Sequence, residues 1–228
     1  EKLMKFHSTR LDGAWLIEGW EGRLSHGKWP ALDLEKFNVR ATERSMFINS
    51  AELRQGATGR VAISGEVHFD DRLDVAAKFA GLELGPVLPE DWRYRFRGQL
   101  GGDVRIQSKL PPPDGGPLIS GRLSLANGRL EALPLLDQIA RFTRVERFRI
   151  LNLSRVECRF TRTADGTMRF DDFVGESEGL MRVEGKFQIV NGQNDGTFQV
   201  GVIPSSLAWL SPVTDRVFTE ARGGYVWT

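Results

Sequence analysis

The sequence predicts a mainly β fold: one strongly curved antiparallel sheet, bent into a half-open trough, with one principal helix and short helical pieces. Three observations lead there. Several stretches alternate apolar and polar residues with a period of two, the mark of a sheet buried on one face only. A unit of the form apolar-x-Gly-x-apolar recurs in Ile63-x-Gly65-x-Val67-x-Phe69, Phe96-x-Gly98-x-Leu100, Ile119-x-Gly121-x-Leu123-x-Leu125 and Val183-x-Gly185-x-Phe187-x-Ile189. Each Gly takes an inward mid-strand position, where lost bulk eases bending. A single helical stripe stands among these runs.

Residues 1–58 read as irregular short strands leading in. Trp15 and Ile17 alternate, as do Leu32 and Leu34, then Phe37, Val39 and Ala41, with Gly19, Gly22 and Gly27 as punctuation. Residues 59–110 read as antiparallel strands. Val61, Ile63, Val67 and Phe69 share one parity; Asp70-Asp71 turns the chain; Leu73, Val75, Ala77 and Phe79 share the next. Beyond a loop with Pro86 and Pro89 come Phe96, Leu100, Val104 and Ile106. Residues 111–117 form a Pro/Gly spacer, stiff and then flexible, and the place for an internal joint.

The segment 118–228 opens with the strand Ile119–Leu125, followed by Asn127-Gly128 as a tight-turn signal. A helix is expected over 134–143, with Pro134 at its first position, where a missing N–H costs nothing. Leu135, Leu136, Ile139 and Phe142 form its apolar stripe. Alternating runs follow at Val156–Phe160, Met181–Ile189 and Phe198–Val202, and a shorter helical piece at Leu207, Trp209 and Leu210.

Composition excludes several function classes. The 228 residues carry a net charge of +1, so no global field points to nucleic acid. Cys158, the only cysteine, excludes an intrachain disulfide and reads as a small apolar side chain on a strand face. No apolar run is long enough to span a bilayer. The chain opens on Glu1 without a signal peptide and stops in Gly223-Gly-Tyr-Val-Trp-Thr228, which reads as a strand just begun; both ends read as those of an excised segment.

No catalytic constellation is found, and neither an enzyme nor a cofactor is expected. His7, His26 and His68 are scattered, without metal-ligand spacing. Asp70-Asp71 and Asp171-Asp172 read as turn chemistry at strand ends.

Three passages carry a likeness to a known family: Asp70-Asp-Arg-Leu-Asp-Val75 running on through Leu84 and Leu88-Pro89 to the Gly98 strand; Ile119-Ser-Gly-Arg-Leu-Ser-Leu-Ala-Asn-Gly-Arg-Leu-Glu-Ala-Leu-Pro-Leu-Leu136; and Met168-Arg-Phe-Asp-Asp-Phe173 with Gly185-Lys-Phe-Gln-Ile189 and Gly224-Tyr-Val-Trp-Thr228. They resemble the C-terminal region of the AsmA-like family of bacterial envelope proteins, over about residues 59–228. The resemblance implies a curled sheet with an apolar groove, phospholipid as the ligand, and a periplasmic setting with an inner-membrane anchor supplied by a segment outside this chain. It brings no catalytic residues.

The expected lining of that groove is Val61, Ile63, Val67, Phe69, Val75, Phe79, Phe96, Leu100, Val104, Ile106, Leu123 and Leu125, then Leu136 and Ile139 from the helix. It continues through Val156, Phe160, Met181, Val183, Phe187, Ile189, Phe198, Val200 and Val202. A ten-residue helix is about 15 Å long, whereas a strand of seven to nine spans about 25 Å, so the helix covers only part of this surface. Arg141, Arg144, Arg147 and Arg149, in an Arg-rich strip reaching Arg162, are candidates for head-group contact. The alternative is an assembly module that binds an envelope protein through its sheet edges.

Overall fold

The computed structural model describes residues 4–25, 30–110, 116–205 and 220–227. They form one antiparallel, unclosed, curved sheet of 15 strands, built almost entirely from consecutive neighbours. The strands are β1 (Lys5–Leu11), β2 (Ala14–Leu24), β3 (Leu32–Ala41), β4 (Ser45–Gln55), β5 (Gly59–His68), β6 (Arg72–Glu83), β7 (Phe96–Lys109) and β8 (Leu118–Glu131). Then come β9 (Ile150–Leu153), β10 (Arg155–Arg162), β11 (Met168–Ser177), β12 (Met181–Val190), β13 (Gln193–Val202), β14 (Glu220–Arg222) and β15 (Tyr225–Trp227). Two α-helices interrupt the meander, α1 (Glu90–Arg93) and α2 (Pro134–Thr143).

The expected β fold and the helix over 134–143 are present, and Asp70-Asp71 turns β5 into β6. Three local expectations need correction. Among the described residues the strands of the first stretch are long: β1 runs 7 residues, β2 and β4 run 11 each and β3 runs 10. Their alternation is hard to see because the register shifts twice between β3 and β4, at Leu34/Lys36 and Asn38/Val39, and each shift moves apolar residues to the other parity. Asn127-Gly128 is no turn. β8 passes through it, Asn127 adopts the left-handed conformation at φ 52°, and the pairing with β7 slips between Arg97 and Gln99. Asp171-Asp172 is likewise mid-strand: Asp172 has φ 50° in a bulge of β11 that shifts its pairing with both neighbours. In both places a residue tolerant of positive φ supports a bulge where its chemistry would equally suit a turn.

The spacer's described end leads into a strand paired with the one before it. β7 and β8 run side by side from Gln107 opposite Leu118 to Phe96 opposite Leu130, so the sheet continues across that connection. Residues 111–115 and the helical piece expected at 207–210 lie outside the described residues, as do the side chains of Leu135 and Phe142.

Curvature has a visible cause in the recurrent glycines. Gly65 and Gly98 have φ of 155° and 153°, a region essentially reserved for glycine. A Cβ on Gly65 would lie 2.4 Å from the Asp74 carbonyl oxygen, and one on Gly121 would lie 2.1 Å from that of Asp103. These positions let adjacent backbones fold towards each other, as a bent sheet requires.

Cover is local. α2 follows the extended Leu133, starts with Pro134, and stops where Arg144 turns left-handed at φ 57°. Its Leu136 and Ala140 pack with Phe148, Leu151 and Leu180 in the main cluster of buried residues, against Leu130, Ile139, Met181 and Val202. This cap closes one end of the sheet face. The chain exposes 14910 Å², whereas a compact protein of its 25.6 kDa exposes about 10400 Å². Among the described residues, most of the sheet has no second layer.

Candidate functional site

Side chains that oppose each other across antiparallel strands share a face, so the register shows what the uncovered face is made of. One file crosses Phe6, Gly19, Phe37, Ala51, Ile63 and Ala77 from β1 to β6. It continues through Val104, Gly121, Phe160, Phe170, Phe187 and Gly196 as far as β13. Every position is apolar or glycine. At about 4.8 Å per strand the file is about 50 Å long, well beyond the roughly 30 Å hydrocarbon thickness of a bilayer.

Parallel files widen it. Leu53, Val61, Phe79, Gly102, Leu123 and Cys158 form one. Leu82, Leu100, Leu125, Val156, Gly175, Val183 and Val200 form a second. Ile48, Gly65, Val75, Ile106 and Ile119 form a third, which Arg162 interrupts before Met168 and Ile189. Most of these side chains are only half-buried; Phe6 is exposed, as is Phe198, which stands on the same face opposite Gly185.

The opposite face carries charge, much of it paired across strands. Lys36 meets Glu52, Arg122 meets Asp103, and Arg159 meets Asp172. Arg105 donates to both carboxylate oxygens of Asp74, at 2.7 and 2.6 Å, and Gln107 adds a third hydrogen bond at 2.9 Å. The Arg105 bonds hold the Asp74 carboxyl below its ordinary value. Such exposed pairs contribute little individually; together they keep this face wet.

No family model, curated protein or solved structure matches this chain.

The register brings together the expected lining from Val61 to Val202, including Val67 opposite Met46 and Leu73, and Met181 opposite Val202. Four of these residues differ in setting. Leu136 and Leu125 are buried, and half-buried Ile139 packs against the buried cluster, so Leu136 and Ile139 belong to the cap rather than to an open lining. Phe69 lies beyond the end of β5, exposed in the turn, where its N–H donates to the Arg44 carbonyl.

Sequence reasoning missed Leu53, Ile48, Phe170 and Phe173 as lining. Phe170 and Phe173 are the instructive pair. They stand three apart and so on opposite parities, yet the Asp172 bulge returns both to one face. There they join Phe160, Phe187 and Phe198 in a continuous aromatic cluster. The usable signal was an Asp doublet between two phenylalanines in an otherwise alternating strand.

Among the four candidate head-group arginines, Arg149 is engaged by Glu146 at 2.6 Å and lies 3.8 Å from Asp137. Arg141 bonds back to the Asp137 carbonyl, and Arg144 is the exposed helix terminus. Arg147 lines a cleft of about 900 Å³ beside the cap, with Arg129, Glu146, Glu178, Asn152 and Leu180 among its walls. Further along the strip, Arg155 pairs with Glu157, and Arg162 donates to the Pro117 carbonyl. Within the strip, carboxylates pair with Arg149, Arg155 and Arg159.

Cys158 sits on the apolar face opposite Leu123, and burial pushes its thiol above its ordinary value. Among the described residues no group of three or more His, Cys, Asp or Glu is placed to hold a metal ion. No described helix is long and apolar enough to cross a membrane.

Proposed function

We propose that the apolar face is a groove for phospholipid acyl chains, and that the chain is a non-enzymatic segment of a lipid-transporting envelope protein. The observation that carries this is the file from Phe6 to Gly196, apolar or glycine at each strand and half-open along its length. Monomeric proteins seldom leave an apolar patch of more than a few hundred Å² uncovered. A face uniform but for Arg162 in one outer file suits a ligand that is itself a uniform chain of CH₂ groups, each worth about 0.8 kcal/mol on burial. Similar stabilisation from site to site lets such a chain slide.

Head groups would stay at the rim, where the cleft holding Arg147 and Arg129 beside Glu146 and Glu178 offers both signs of charge. The AsmA-like resemblance points the same way, and with it come the periplasmic location, the inner-membrane anchor and transport between the two membranes.

Native mass spectrometry of the purified protein, paired with lipid extraction, tests the proposal. Phospholipid in defined stoichiometry is expected, lost in Val104→Asp or Phe187→Asp while the circular dichroism stays that of a β protein. A lipid-free mass from folded protein would overturn it. One observation favours a second reading, an assembly module: among the described residues β1 ends the sheet with every residue exposed, able to accept a partner's strand. That module predicts a protein ligand and no lipid.

A further inference from the structure

Aromatic rings on the apolar face do not all stand up from it. Directly across the strand from Phe37 is Gly19. A Cβ built on Gly19 would fall 2.1, 2.6 and 2.9 Å from three atoms of the Phe37 ring. The ring therefore occupies the space above the glycine. The same pairing recurs at Gly185 and Phe198, with a ring carbon at 2.7 Å, and at Gly121 and Phe160, at 3.0 Å.

At Gly185 and Gly121 a backbone oxygen also crowds the Cβ position, at 2.4 and 2.1 Å, so curvature alone would account for those glycines. Gly19 is different. It lacks positive φ, and its three nearest atoms come from the ring alone. The backbone accepts any residue there; the ring does not.

Side chains on a strand ordinarily project roughly perpendicular to the sheet, in a few staggered rotamers. Leaning across a neighbouring strand is open to a ring only where that strand carries no Cβ. A methyl at the glycine would drive the ring to another rotamer, upright in the open face. We propose that the cross-strand glycines, Gly19 foremost, keep aromatic rings lying across the floor and so set the free cross-section through which an acyl chain moves. They are positioning residues, acting through Phe37 and its counterparts, and the proposal rests on the acyl-chain groove.

The test compares wild type, Gly19→Ala, Phe37→Leu and the double variant. Native mass spectrometry reads phospholipid per chain. Exchange with vesicles of phosphatidylethanolamine and phosphatidylglycerol carrying a fluorescent-acyl phospholipid reads movement, and circular dichroism reads the fold. Exchange is expected to slow several-fold in Gly19→Ala, to stay near wild type in Phe37→Leu, and to return in the double variant, whose side chain at 37 has no ring to raise. If Gly19→Ala does not fold, folding of the double variant is expected, because the ring alone rejects the methyl; a double variant that also fails to fold overturns the proposal. Unchanged exchange in Gly19→Ala, or slow exchange that Phe37→Leu does not restore, overturns the proposal while leaving the groove standing. A wild type that carries and exchanges no phospholipid overturns the groove, and this proposal with it.

Discussion

Phe170 and Phe187 stack face to face across β11 and β12, with ring centroids 4.3 Å apart and planes 9° apart. Phe173 meets Phe187 edge-on at 6.2 Å, and Phe198 meets Phe173 edge-on at 6.1 Å. Where a second layer would normally order a core, this face is ordered by rings packed on one another.

That arrangement predicts coupling. Aromatic pairs are worth about 0.5–1.5 kcal/mol beyond the area they bury. A double-mutant cycle of Phe170→Leu and Phe187→Leu, measured by urea denaturation, is expected to show an interaction energy in that range. Additive losses would mean that the stack contributes only through area.

The bulge at Asn127 is expected to discriminate by backbone conformation. Its φ of 52° is open to Asn and Gly, whereas a β-branched side chain there costs about 1–2 kcal/mol. Asn127→Gly should keep the thermal midpoint near wild type, and Asn127→Val should lower it. Equal midpoints would show that β8 can lose its bulge without penalty. The parity of Leu130, which packs beside the cap, depends on that bulge.

Asp74 sets a pH dependence of stability. Its folded carboxyl titrates below the ordinary value of 3.8, chiefly because Arg105 hydrogen-bonds it. The unfolded chain therefore binds this proton more readily, and stability rises with pH through that interval. The contribution is fully present above the ordinary value and disappears as pH falls through the lowered one. The stability difference between wild type and Asp74→Asn should hold steady from neutral pH down to about 4 and shrink below it, as followed by urea denaturation at stepped pH. A difference independent of pH would assign the role of Asp74 to something other than its charge.

Cys158 offers a probe inside the open face. Its thiol is pushed above the ordinary 9.0 by burial, so little thiolate exists at neutral pH. Alkylation by iodoacetamide, followed by mass, should be slow in the folded protein and fast in urea. Loading with phospholipid should slow it further, since Cys158 lies in the file with Leu123 and Phe79. Rapid alkylation of the folded protein would place the thiol elsewhere.

Sequence by itself determined the fold class, the helix over 134–143 and most of the apolar face. Strand alternation and helical stripes are written in neighbouring residues, and nothing distant is needed to read them. It also marked the recurrent glycines. What only the tertiary structure decided is wherever a cross-strand partner intervenes. Asn127-Gly128 and Asp171-Asp172 have the chemistry of turns, and only the strands beside them make them bulges. Arg149 and Arg155 read as parts of one basic strip until Glu146 and Glu157 close on them. Phe37 and Gly19 stand far apart in the chain, and the pairing of β2 with β3 alone lays one across the other. Periodicity records which face a residue takes, but register, set by hydrogen bonds between distant segments, decides what it meets there.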